Sequence, residues 1–96
     1  MPATERVFWR TDTSTVWVGY DDDGALVFNG LDRAYLDGYE YAVTVAPDQF
    51  ANLRRVLGAD SGADVLDLVC AHVDEIMARG ERTWLDDHGI KRAFSC

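Results

Sequence analysis

Apolar and polar positions follow a strand-like pattern through the first half of the chain and a helical one through most of the second. VFWR at 7–10 is a short apolar run, and TDTS at 11–14 is turn chemistry. TVWVGY at 15–20 is β-branched and aromatic, DDDG at 21–24 breaks it, and ALVFN at 25–29 resumes it. Two such runs around an Asp-Gly segment predict a β-hairpin. In YEYAVTVA, 39–46, Tyr39, Tyr41, Val43 and Val45 alternate with Glu40, Ala42 and Thr44. That period of two predicts a strand with one buried face, its tyrosines toward the core and Glu40 away from it. LDRAYLDG, 31–38, is too irregular for a strand and too short for a stable helix. It reads as an acidic loop that ends at Gly38 and leaves Tyr35 available beside Asp32 and Asp37.

At Pro47 the period changes. Proline suits the first helical position, and Asp48 then lies in the first turn, where the helix dipole favours an anion. Phe50, Leu53 and Leu57 share a stripe, and Gly58 supplies a left-handed cap, so a helix is predicted over 47–57. Leu66, Val69, Cys70, Val73, Ile76 and Met77 recur at helical spacing and predict a helix over 61–80, with Ser61 and Asp64 as a capping box and Gly80 as the stop. A third helix at 81–88 sets Trp84, Leu85 and His88 on one face, and IKRAFS at 90–95 predicts a last strand. Segregated strands and helices indicate a single α+β domain: an antiparallel sheet of four to five strands with two to three helices packed on one face.

Charge narrows the partners. Seventeen acids against nine basic residues give a net charge of −8. That balance opposes binding to nucleic acid, whose phosphates need Lys and Arg, and to anionic membrane surfaces. No run approaches the roughly 18 apolar residues of a membrane span. MPATERVFWRTD lacks the apolar centre of a signal peptide, so the expectation is a cytoplasmic protein with both cysteines reduced.

The search for reactive motifs is negative. There is no phosphate-binding loop, nucleophile elbow, C-x-x-C or H-E-x-x-H. His72 and His88 read as packed or partly exposed histidines, and DDDG as a hairpin turn, because a calcium loop needs alternating oxygen ligands. The expectation is therefore no catalytic residue, no metal and no cofactor. The acids sit in turns or on polar helix faces: Asp21, Asp22 and Asp23 in the hairpin, Asp32, Asp37 and Glu40 around the 31–38 loop, and Asp64, Asp67, Asp74 and Glu75 on the polar arc of the long helix. Leu68 projects into that arc near Asp64 and Glu75, an apolar residue ringed by charge, which is the small-scale pattern of an interface anchor.

With these segments placed, the chain resembles a group of small bacterial immunity proteins of polymorphic and contact-dependent toxin systems. The matching pieces are VFWRTD, TVWVGYDDDGALVFNGLD, YEYAVTV, WLDDHGI and AFS, in that order. The group's C-terminal strand often carries aromatics after the Phe, where this chain has Ser95 and Cys96. The resemblance implies stoichiometric neutralisation of a toxin domain by contact, by a monomer or weak dimer. Many such toxins are cationic nucleases, whose encounter an acidic surface would steer. The candidate contact residues are Asp21, Asp22, Asp23, Asp32, Tyr35, Asp37 and Glu40, with Asp64, Leu68 and Glu75 as the alternative surface. Two other readings stay open. One is a ligand-binding or enzymatic domain with a pocket between sheet and helices, near Trp84 and His88. The other is a self-associating domain.

Overall fold

A computed structural model describes residues 5–34 and 38–95. The strands are β1 (Arg6–Arg10), β2 (Ser14–Tyr20), β3 (Leu26–Asp32), β4 (Tyr39–Val45) and β5 (Ala93–Ser95). Between β4 and β5 come a 3-10 turn (Pro47–Gln49) and helices α1 (Phe50–Val56), α2 (Val65–Ala71), α3 (Val73–Arg79) and α4 (Glu81–Asp87). The strands form one antiparallel sheet in the order β1-β2-β3-β4-β5. The predicted α+β class is what the structure has, with more helices than the two or three expected.

Strand alternation decides what is buried. Register sets Val18 opposite Phe28 and Phe28 opposite Val43, and all three are buried on the helix-covered face with Val16, Leu26 and Val45. The helices answer with Leu53, Val65, Leu66, Val69, Ile76, Trp84 and Leu85, and Ile90 joins them from the segment before β5. On β1 the register shifts between Val7 and Trp9, a bulge that lets both Phe8 and Trp9 turn inward. Phe8 meets Phe28 edge to face, ring centroids 5.3 Å apart. The other sheet face carries half-buried Trp17, Val27, Asn29, Ala42 and Thr44, and exposed Val7.

Four boundaries differ from the sequence reading, the first being the predicted 47–57 helix, which opens as a 3-10 turn over Pro47–Gln49 and is α-helical over Phe50–Val56. β3 runs to Asp32, so Leu31 and Asp32 belong to the strand and not to an acidic loop. Gly30 suggests a break because glycine weakens strands. Here it is required: Tyr41 lies directly across from it, and a Cβ at Gly30 would come within 2.2 Å of the Tyr41 ring. The predicted 61–80 helix starts at Val65 and is interrupted at His72, giving α2 and α3. Asp64, not Ser61, is the N-cap, its carboxylate accepting from Asp67 N. Nothing in the local sequence explains the interruption at His72. The last strand is shorter than 90–95 because Ile90 turns into the core before β5 begins.

Candidate functional site

The meander puts the predicted contact residues at two ends of the sheet. One end holds the β2–β3 turn. There Asp21 accepts from both Asp23 N and Ala25 N at 2.9 Å, and Gly24 takes a φ of 80°. The Asp-Gly chemistry thus closes the hairpin as expected, and it uses the Asp21 carboxylate to do so. Asp22 and Asp23 are exposed and enter no ion pair among the described residues.

Tyr20, the residue before this turn, fastens α2 to the same end. Its hydroxyl donates to Asp64 Oδ1 and accepts from Leu66 N at 3.2 Å. One turn along α2, Leu68 N donates back to the Asp64 carbonyl, and the Leu68 side chain is half-buried. The Tyr20 hydroxyl, the Asp67 N–H and the nearby Arg6 and Arg54 hold the Asp64 carboxyl below the usual Asp range, against a desolvation that acts the other way. Burial and the Asp64 partner push the Tyr20 hydroxyl up. Arg6 on β1 closes the group with a 2.7 Å ion pair to Asp67. Cys70 lies on the same helix, its thiol pushed up by burial, which suppresses thiolate chemistry.

The structure therefore brings Asp21, Asp22, Asp23, Asp64 and Leu68 to one end. It places Glu75 further along, on α3, where it meets His72 Nδ1 at 3.3 Å. Asp32 and Glu40 lie at the opposite end: Asp32 is opposite Tyr39 and accepts from Ala34 N, and Glu40 is exposed on the far sheet face. Tyr35 and Asp37 lie outside the described residues. The seven residues of β3 set Asp21, Asp22 and Asp23 roughly 20 Å from Asp32 and Glu40, so these members of the expected contact set do not share one surface.

In comparisons with known proteins, no family model matches the chain, and neither a curated protein nor a solved structure matches it. Among the described residues no helix is long and apolar enough to cross a membrane.

Trp84 and His88, the residues expected beside a sheet–helix pocket, pack on each other. Trp84 is fully buried in the core, and its indole N–H finds no acceptor among the described residues. The exposed His88 ring rests on it, centroids 4.3 Å apart, with Nδ1 2.8 Å from the Trp84 carbonyl. One concave site opens between β4, β5 and the start of α4. It is a cavity of about 210 Å³ lined by Tyr39, Tyr41, Phe94 and the 80–83 segment. The sequence reading assigned no role to Glu81, which lines this cavity and is buried. The signal was present: Glu81 lies three and four residues before Trp84 and Leu85, on the buried face of the helix.

Proposed function

We propose that this protein is an acidic binding module, acting in the cytoplasm, that neutralises a basic toxin domain by stoichiometric contact. The observation that carries this reading is the acidic turn end. Asp22 and Asp23 stand exposed and form no ion pair among the described residues, beside an α2 whose first turn Tyr20 fixes in place and from which Leu68 offers apolar area. A rigid, negatively charged end suits a partner that is itself basic: complementary charge speeds encounter and sets register, and a small apolar centre holds the contact. The net charge of −8 and the resemblance to immunity proteins support the same reading.

Co-expression with the product of the adjacent upstream gene tests it. The expected result is co-purification as a 1:1 complex and rescue of growth from the neighbour's toxicity. Rescue should fail when Asp22 and Asp23 are changed together to Lys. No complex and no rescue by the native chain would sink the reading.

A further inference from the structure

The cavity at the other end of the sheet has a chemistry of its own, independent of any toxin. Tyr39, Tyr41 and Phe94 line it as a run of rings, with centroids 5.8 Å apart from Tyr39 to Tyr41 and 6.0 Å from Tyr41 to Phe94. β4 supplies the first two because both point to the helix face, and β5 adds the third by pairing Phe94 with Val43. Glu81 lines the cavity too, and only 4 % of the residue is exposed. It enters no ion pair among the described residues. Its hydrogen-bond partner is the Tyr41 hydroxyl, which burial first and then this bond to the Glu81 carboxylate push well above the ordinary tyrosine range.

A carboxylate withdrawn from water is stabilised by each positive or donating group that meets it; the Tyr41 hydroxyl is one such donor, and a cation would add the opposite charge. Ring faces attract cations within about 6 Å of the centroid. Arg82 shows this locally: its guanidinium carbon lies 4.3 Å from the Phe94 centroid. Arg82 is exposed, so water screens its charge, whereas the Glu81 charge is screened much less. Arg82 also lines the cavity and acts on the Tyr41 hydroxyl against Glu81, so a cation entering the site gains the carboxylate and competes with Arg82 for the Phe94 face. Size narrows the ligand: about 210 Å³ falls below the roughly 300–1,000 Å³ of sites for drug-sized molecules and fits one side-chain-sized group.

We propose that the Tyr39–Tyr41–Phe94 cradle with the buried Glu81 carboxylate is a binding site for the end of an organic cation, an alkylguanidinium or alkylammonium. Two sources share that chemistry, a free small amine and the tip of an Arg or Lys side chain on a partner. The ring-proton resonances of Tyr39, Tyr41 and Phe94 report binding while n-butylguanidinium or n-butylammonium is titrated into the native protein, with neutral n-butylurea as the shape-matched control. The expected result is saturable shifts with the cations, none with the urea, and at least about tenfold weaker binding in Glu81→Gln. Arg82→Ala should bind more tightly, because it vacates the Phe94 face. A capped Gly-Gly-Arg-Gly-Gly peptide separates the sources: binding of the peptide as well assigns the site to a partner's side chain, and binding of the free cations alone assigns it to a small amine. Equal shifts with urea and cation, or no saturation with either cation, would overturn the proposal. The urea comparison needs no variant, so it decides even if Glu81→Gln folds poorly. No toxin enters the experiment, so its failure leaves the toxin-binding reading standing, and the converse holds.

Discussion

Two tyrosine–carboxylate pairs sit on the helix face of one sheet, at opposite ends, and they are built differently. Tyr20 and Asp64 form a clamp. The carboxylate is solvent-exposed, caps α2, and takes hydrogen bonds from a side chain and a backbone N–H, so it is satisfied by the protein. Tyr41 and Glu81 lie at the edge of a cavity. That carboxylate is buried, enters no ion pair among the described residues, and shares the cavity with three aromatic rings. The same two side-chain types thus hold the fold together at one end and, at the other, set a buried carboxylate that the Tyr41 hydroxyl meets beside an open cavity. A buried carboxylate that opens on a cavity, with no ion-pair partner among the described residues, is the feature to expect where a cationic ligand completes the structure.

The largest effect should come from removing the space on which the cradle depends. Gly30→Ala would place a Cβ within 2.2 Å of Tyr41, so the ring must leave its seat. Overpacking of this kind costs about 1–3 kcal/mol. Urea denaturation should show that loss, and near-UV circular dichroism should show rearranged tyrosines. Unchanged stability and spectrum would mean that Tyr41 does not lie across Gly30, and the cradle end would lose its geometry.

Next comes the clamp. Tyr20→Phe removes the donor to Asp64 and leaves the buried Leu66 N–H without its acceptor. A loss of about 1–2 kcal/mol at neutral pH is expected. The pH dependence sharpens the assignment. Asp64 titrates lower in the folded chain than its ordinary 3.8, so its stabilisation is in place above that value and is lost as pH falls through the depressed folded value. Tyr20 titrates above its ordinary 10.0, so its stabilisation is in place below that value and is lost as pH rises through the raised one. Tyr20→Phe should flatten both limbs of the stability profile. A variant that shifts the whole profile down without changing its limbs would show that the clamp is packing and not the hydrogen bond.

Glu81→Gln should behave unlike any clamp variant. It keeps the shape of the side chain and removes the buried charge, so unfolding free energy should stay within about 0.5 kcal/mol of the native value or rise. A loss above about 2 kcal/mol would make Glu81 a structural carboxylate like Asp64, and the contrast between the two ends would collapse.

How much of this the sequence disclosed depends on how local each feature is. The hairpin turn and the inward tyrosines were legible, because Asp-Gly turn chemistry and a period of two act over a few residues. The extension of β3 through Gly30 to Asp32 was not, since what makes glycine acceptable there is a ring on the neighbouring strand. The cradle needed β5 to return beside β4 across the whole helical segment, a pairing that no periodicity encodes. The clamp joins residues 44 positions apart, and Asp64 shows in sequence only as a cap. Glu81 was legible in principle, from its phase relative to Trp84 and Leu85, but an acid among many acids reads as surface until that phase is drawn.

The smallest effect on stability, and the one that isolates the acidic end as an interface, belongs to Asp22 and Asp23. Both are exposed, and no described residue forms an ion pair with either. The turn is held by Asp21 and Gly24, which are untouched in an Asp22→Asn, Asp23→Asn double variant. Only the Asp23 N–H takes part, and asparagine keeps it. Unfolding free energy should therefore change by no more than about 0.5 kcal/mol. If this end meets a basic partner, the two lost charges act on encounter. The association rate should fall, with a weaker salt dependence, while the dissociation rate stays nearly constant, because rim charges steer more than they hold. Stopped-flow association at low and physiological salt separates the two rates. A fall confined to the dissociation rate would place Asp22 and Asp23 in a desolvated contact, and no change in either rate would move the interface away from this turn.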